Sequence, residues 1–183
     1  MSGLSRVMSS IRYRTDEETT EADIVYTPQG LARQLIAEVP IEEGDVLLDP
    51  FAGDDAFFAN FPEGHVRDWC EIQRGRDFYR HTERCDWIIT NPPFSQVNRI
   101  LDHTTSLCRK GFAYLLPSFA VTTPRLRRMA HAGFNIHSII FFDAPKAWDS
   151  FQLCWLIMHR GDASNARLLD QPSGRQTTLD VLD

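Results

Sequence analysis

The sequence predicts a doubly wound α/β fold with a mostly parallel sheet and an antiparallel terminal edge strand. Two observations favour this fold. From Val46 onward, short all-apolar runs alternate with stripes of apolar residues at helical spacing. Near the end of the chain, two apolar runs follow each other closely, as expected for an antiparallel pair.

The first predicted element is a helix that begins close to Thr27. Thr27 is a good N-cap, and Pro28 suits the first helical position. Apolar residues then recur at helical spacing up to Val39, and Pro40 ends the helix. The polar segment 1–22 before it is predicted to be a flexible arm.

Three predicted strands follow this helix. Val46–Leu48 is the first, and it is followed by a turn and a short helix that Pro62 breaks. The second strand is expected within His65–Ile72. The third is Trp87–Ile89, which ends abruptly because two consecutive prolines cannot continue a strand.

The second half of the chain continues the alternation. Ser95 is predicted to cap a helix that runs to about Cys108, with Gly111 ending it. Another helix starts at Thr123 and is closed by Gly133. Further strands are expected at Phe112–Pro117, Ile136–Phe142 and Phe151–Met158.

One domain, at 23–160, is therefore predicted, followed by a loose polar tail at 161–183. A chain of 183 residues with 43% hydrophobic content can bury a substantial core. Its apolar runs are too short to span a membrane, and no signal peptide is expected at its N-terminus. We therefore expect a cytoplasmic protein.

The four cysteines are scattered among apolar segments, which predicts reduced, buried thiols. No cluster of Cys and His has the spacing of zinc ligands, so no metal is expected. The formal net charge of −6 argues against a large, independent surface for nucleic acid. Two groups of arginines leave room for a local basic face: Arg74, Arg76, Arg80 and Arg84, and then Arg125, Arg127 and Arg128.

Acidic residues lie near the predicted ends of the first two strands. Asp49 opens a turn of small residues up to Gly53, where a ligand can approach the backbone closely. Glu71 follows about 20 positions later, as expected for a carboxylate that accepts hydrogen bonds from a ribose. Because the pattern Gly-x-Gly-x-x-Gly is absent, a nucleoside without phosphate fits better than a pyrophosphate. Asp77 is suited either to accept from an adenine amino group or to cap a helix.

The order of these segments resembles the S-adenosylmethionine-dependent amino-methyltransferases, and most of all the adenine-N6 DNA methyltransferases. The resemblance spans about residues 24–160. It rests on Asp-Pro-Phe-Ala-Gly at 49–53, Cys-Glu-Ile at 70–72, Gly-x-Asp-Phe at 75–78 and Asn-Pro-Pro-Phe at 91–94. Tyr-Thr-Pro at 26–28 resembles the motif that precedes the glycine turn in the gamma-type order.

This resemblance implies a Rossmann-like sheet, S-adenosylmethionine as the cofactor and DNA as the substrate. The residues that it places in the cofactor pocket are Thr27, Asp49, Ala52, Gly53, Glu71, Ile72, Asp77, Phe78 and Asn91. Those that it makes catalytic are Asn91, Pro92, Pro93 and Phe94. One departure is Asp55, which stands where the family commonly has a second glycine. Its side chain is expected to narrow the cofactor site, to stabilise the following helix or to meet the methionyl ammonium.

The chemistry of the Asn-Pro-Pro-Phe segment agrees with this reading. The exocyclic amine of adenine is a poor nucleophile because its lone pair is delocalised into the ring. Acceptors at the Asn91 side chain and the Pro92 carbonyl would make the nitrogen more nucleophilic and stabilise its developing charge. The prolines hold these acceptors rigidly, and Phe94 offers a face for stacking on a flipped base.

Several alternatives stay open at this level. The same segment suits adenine in RNA or a glutamine amide in a protein, and the chain could be a non-catalytic cofactor-binding subunit. No separate target-recognition domain is expected, so such an enzyme would either read DNA sequence poorly or use the arm, the arginine groups, a protein partner or a homodimer. In the predicted loop Ala144–Ser150, Lys146 is a candidate contact to a base or phosphate, and Trp148 is either such a contact or core filler.

Overall fold

The computed structural model describes residues 26–142 and 152–161. The predicted arm at 1–22, the loop at 144–150 and the tail after residue 161 lie outside the described residues. The described helices and strands, in chain order, are α1 Gln29–Ile36, β1 Val46–Asp49, β2 Val66–Trp69, β3 Cys85–Thr90, α2 Val97–Leu107, β4 Cys108–Pro117, α3 Thr123–His131, β5 Phe134–Phe142 and β6 Leu153–Arg160.

The strands form one sheet in the order β2-β1-β3-β4-β6-β5. Strands β2, β1, β3 and β4 pair in parallel, whereas β6 is antiparallel to both of its neighbours, β4 and β5. The predicted mixed α/β sheet is thus confirmed. Its last strand lies one position in from the edge, because it inserts between β4 and β5.

The central strands of the sheet are buried on both faces, which explains their apolar runs. Alternate residues of β3 enter two different core clusters: Ile88 belongs to one, and Trp87 and Ile89 belong to the other. Leu48 and Leu47 of β1 divide in the same way. The central strands are therefore fixed from both sides, and their carboxyl ends meet at one edge of the sheet.

Gly111 does not end a helix, contrary to the expectation from the sequence. The helix α2 ends at Leu107, and Gly111 lies inside β4, opposite His159. A Cβ at Gly111 would lie 2.6 Å from Trp87 Cη2 and closer still to the Met158 carbonyl oxygen. A glycine is required because two backbones and an indole ring meet there.

Two predicted helix caps are also wrong. Pro28 is the N-cap of α1, and Gln96 is the N-cap of α2; neither makes a side-chain capping hydrogen bond. Thr27 lies before α1 and its hydroxyl has a different partner, while Ser95 falls inside a 3₁₀ turn, Phe94–Gln96. The double proline sets the path of the chain here, and α2 starts only after this turn.

The other boundaries differ by a few residues. The helix α1 ends at Ile36, ahead of Pro40. A 3₁₀ turn, Phe58–Asn60, takes the place of the short helix after β1. The strand β2 stops at Trp69, so that Glu71 lies just beyond it. Gly133, with φ of 88°, follows α3 as predicted.

The four cysteines are buried and unbridged, as predicted. Within 26–142 and 152–161, no group of three or more His, Cys, Asp or Glu side chains is placed to hold a metal ion. None of the helices in these ranges has the length and apolar character of a membrane span.

Candidate active site at the carboxyl edge of the sheet

Three of the predicted site residues lie at the carboxyl ends of neighbouring strands. Asp49 is the last residue of β1, Glu71 lies two residues beyond β2, and Asn91 directly follows β3. Backbone hydrogen bonds fasten the first two segments together: Cys70 N–H donates to the Asp49 carbonyl at 2.8 Å, and Ala52 N–H donates to the Cys70 carbonyl at 3.0 Å. Ligands of open α/β sheets bind at this edge.

Glu71 is held by two backbone amides. Its Oε2 accepts from Gly53 N–H at 3.0 Å, and its Oε1 accepts from Gln73 N–H at 3.0 Å. An ionised carboxylate has about four lone-pair sites, so about two stay available for a ligand. The neighbouring Ile72 is 70% exposed, an apolar surface directly beside the carboxylate. Together they offer hydrogen-bond acceptors and an apolar face.

The turn after β1 has an unusual backbone. Gly53 has φ of 52°, and Asp55 has φ of 67°, the left-handed region that favours glycine. The ring of Tyr26 lies beside Gly53, 3.5 Å from where its Cβ would be, and is more than half exposed. Tyr26 therefore borders the turn in which a ligand would meet the backbone.

Asp55 pairs with an arginine from the next segment. Its two carboxylate oxygens accept from Arg74 Nη1 at 3.1 Å and from Arg74 Nη2 at 2.7 Å. These hydrogen bonds raise the pKa of Arg74. The sequence left three roles open for Asp55, and the structure shows a different one. The side chain forms a bidentate ion pair with Arg74.

Asp49 is completely buried beneath the turn. Its oxygens accept from Thr90 Oγ1 at 2.7 Å, from Phe58 N–H at 3.2 Å and from Phe51 N–H at 3.4 Å. Burial raises the pKa of Asp49 to about 7, although these donors oppose the shift. Asp49 thus organises the turn from below, joining it to the end of β3.

The Asn91 carboxamide is tied to the segment before α1. Its Nδ2 donates to Thr27 Oγ1 at 3.2 Å, and Thr27 is only 4% exposed. Because the amide nitrogen points at Thr27, the amide oxygen points away from it. Pro92 is buried, and Phe94 is half-buried against the core. The segment thus presents a fixed amide and one ring at the edge of the sheet.

Two other predicted pocket residues have contacts within the protein. Asp77 caps a 3₁₀ turn by accepting from Tyr79 N–H at 2.9 Å. Phe78 is buried in the core, with ring centroids 5.3 Å from Phe51 and 4.7 Å from His103. Ala52 is also buried, so only its backbone is available near the turn.

Several arginines of the two groups have partners within the protein. Arg74, Arg76 and Arg80 each lie near a carboxylate, with shortest N–O distances of 2.7, 2.5 and 3.8 Å. Arg125 donates to Asn98 Oδ1 at 2.9 Å and to the Ala120 carbonyl at 2.7 Å. These arginines order loops, and their charge is partly compensated, which weakens the idea of a basic face.

Three residues near the site were not predicted as site residues. Tyr26 stands in the Tyr-Thr-Pro segment, which was the available signal. Phe119 follows β4 in a 3₁₀ turn at the same edge and is 46% exposed; an aromatic just after a predicted strand was its only sign. Arg74 was singled out only as a member of an arginine group, and nothing in the sequence indicated its pairing with Asp55, which belongs to a different segment.

The fold is that of known methyltransferases. A proposed RNA methyltransferase from Pyrococcus horikoshii has a TM-score of 0.61 and 14% identity, with 87% of this chain and 99% of that chain covered. Magnesium protoporphyrin IX methyltransferase from Synechocystis, solved with bound SAM, has a TM-score of 0.56 and 12% identity, covering 87% and 92%. No family model and no curated protein sequence matches the chain.

A modification subunit of a proposed type I restriction enzyme from Vibrio vulnificus has a TM-score of 0.59 and 15% identity. The match covers 88% of this chain and 49% of that subunit. The chain therefore corresponds to about half of the length of this neighbour. At these identities the likeness establishes the fold.

Proposed function

We propose that this protein is an S-adenosylmethionine-dependent methyltransferase that acts on the N6 amino group of adenine in DNA. The observation that carries the proposal is the Asn91 carboxamide, which Thr27 holds at the end of β3 beside the turn that Gly53 and Glu71 form. The fold of the protein resembles that of methyltransferases with several substrate classes, and this supports methyl transfer as the reaction type.

The residues around the turn fit this cofactor. The remaining lone pairs of Glu71 match the two hydroxyls of a ribose, and the exposed Ile72 matches the face of an adenine ring. Asp54 and Glu71 give the turn an acidic character, because the charge of Asp55 is compensated by Arg74, and this favours a cationic ligand over a phosphate. When bound, the cofactor supplies an electrophilic methyl group.

The segment at 91–94 would hold the acceptor. The Asn91 amide oxygen and the Pro92 carbonyl accept the two amine hydrogens, which favours a nucleophilic nitrogen and stabilises its developing positive charge. Phe94 stacks on the base, worth roughly 1–3 kcal/mol. The product ammonium is acidic enough to lose its proton to water, so no strong base is needed. In duplex DNA the base has to be flipped out of the stack first.

Adenine in RNA is the second candidate acceptor. Arg74, Arg76 and Arg125 have partners within the protein, which leaves less positive charge to bind the phosphates of a duplex and favours a single-stranded acceptor such as an RNA loop. The exposed Phe119 and the half-buried Phe94 suit an unpaired base of either nucleic acid.

The test is transfer of labelled methyl from S-adenosylmethionine to DNA, RNA and protein pools, followed by nucleoside analysis. We expect N6-methyldeoxyadenosine; N6-methyladenosine alone would move the function to RNA, and N4-methylcytosine would refute the adenine assignment.

Asn91→Ala should lower kcat by about 100-fold or more while cofactor binding persists. Asn60→Ala, which changes an asparagine bound to Gln29 and Ala56, is the matched control. Wild-type rates in Asn91→Ala would refute the mechanism.

A further inference from the structure

Two arginines lie over the same indole ring but tie down different parts of the protein. The guanidinium carbon of Arg74 is 4.0 Å from the Trp69 ring centroid, and that of Arg76 is 4.4 Å away. Arg76 pairs with Asp68, the neighbour of Trp69 in β2, at 2.5 Å. Arg74 instead reaches Asp55, in the turn after β1. Of these two ion pairs, therefore, only the Arg74–Asp55 pair joins the turn that contains Gly53 to the segment that contains Glu71.

The Asp55–Arg74 pair stands at a position of unfavourable backbone conformation. Asp55 is the only residue other than glycine with positive φ in the described parts of the chain. Aspartate tolerates this region better than most residues but less well than glycine. A bidentate ion pair whose guanidinium is already stacked on Trp69 is an arrangement that holds the strained turn in place.

We propose that Asp55 and Arg74 form a clamp that positions the cofactor turn, holding 53–55 against 71–74 so that the Glu71 carboxylate stays fixed for the ribose. The inference deepens the proposed function, because the ligand concerned is S-adenosylmethionine. Both are positioning residues: they act through Gly53 and Glu71, which are joined at 3.0 Å. Pre-organising the turn lowers the ordering cost of binding.

The experiment compares Arg74→Met, Asp55→Asn and their double variant with the control Arg76→Met. Asparagine keeps the shape and the tolerance of positive φ but loses the charge. The dissociation constants of S-adenosylmethionine and S-adenosylhomocysteine are measured by calorimetry, and melting temperatures are measured without ligand. We expect about tenfold weaker binding of both ligands to each clamp variant, no further loss in the double variant, and near-wild-type binding to Arg76→Met.

Steady-state kinetics separates positioning from general stability. The KM for the cofactor should rise in the clamp variants, while the KM for nucleic acid stays unchanged. Arg74→Lys, which keeps one charge but loses the fork, should fall between wild type and Arg74→Met. Unchanged binding in Arg74→Met, or equal weakening in Arg76→Met, would overturn the clamp and leave the cofactor assignment standing. If wild-type protein bound no S-adenosylmethionine, both the cofactor assignment and the clamp would be refuted.

Discussion

The hydrogen bond from Asn91 to Thr27 allows a sharp test of how the candidate catalytic amide is oriented. Thr27→Val replaces the hydroxyl by a methyl group of similar size at a buried position, so packing is preserved while the acceptor 3.2 Å from Asn91 Nδ2 is lost. The amide can then rotate away from the orientation that presents its oxygen to the substrate. We expect a lower kcat with little change in cofactor affinity.

The size of the effect follows from the contact. A neutral hydrogen bond contributes about 0.5–1.5 kcal/mol, and each 1.36 kcal/mol changes a rate tenfold. The kcat of Thr27→Val should therefore fall by roughly 2- to 13-fold, far less than in Asn91→Ala. The free energy of unfolding should fall by about 1 kcal/mol.

The assay is methyl transfer under saturating conditions, together with calorimetric binding of S-adenosylmethionine. Thr27→Ser keeps the hydroxyl and should retain a kcat close to that of wild type. If Thr27→Val were as fast as wild type, or if Thr27→Ser were equally slow, then Thr27 would not orient the amide.

Two further predictions concern the support of the site. Burial raises the pKa of Asp49 from 3.8 to about 7, so between about pH 4 and 7 the folded state holds more protons than the unfolded state and stability falls as pH rises. Asp49→Asn should remove this fall, at most about 3 kcal/mol between pH 5 and pH 8 in urea unfolding; parallel pH profiles of the variant and the wild type would contradict it. Gly111→Ala forces a Cβ against Trp87 and Met158 and should cost about 1–3 kcal/mol in the same assay. In the control Gly30→Ala, in α1, no atom lies within 4 Å of the added Cβ, so the substitution should be neutral or stabilising. An equal loss of stability in the two variants would refute the packing argument.

The central parallel strands were predictable because each contains an uninterrupted apolar run. A sheet buried on both faces requires such runs, and Val46–Leu48, Trp87–Ile89 and Phe112–Pro117 all lie within observed strands. The caps failed for a related reason. Ser95 has the right chemistry for a cap, but the preceding prolines impose a 3₁₀ turn first, and the sequence does not show where that turn ends.

The site residues, too, were predictable at the ends of strands and not in a short turn. The acidic residue just after β2 and the amide after β3 were predictable, since strand ends can be located from the turns that follow them. Phe78 was expected in the pocket and lies in the core, because the direction of a side chain in a short 3₁₀ turn depends on what packs above it.

The sequence by itself determined the order of strands and helices along the chain and the chemistry available at the strand ends. The tertiary structure decided which of these groups meet. Asn91 and Thr27 are 64 positions apart, and Asp55 and Arg74 are 19 apart. Gly111 is a glycine because of Met158 and Trp87. Such contacts depend on how segments are placed in space, and local periodicity carries no information about that placement.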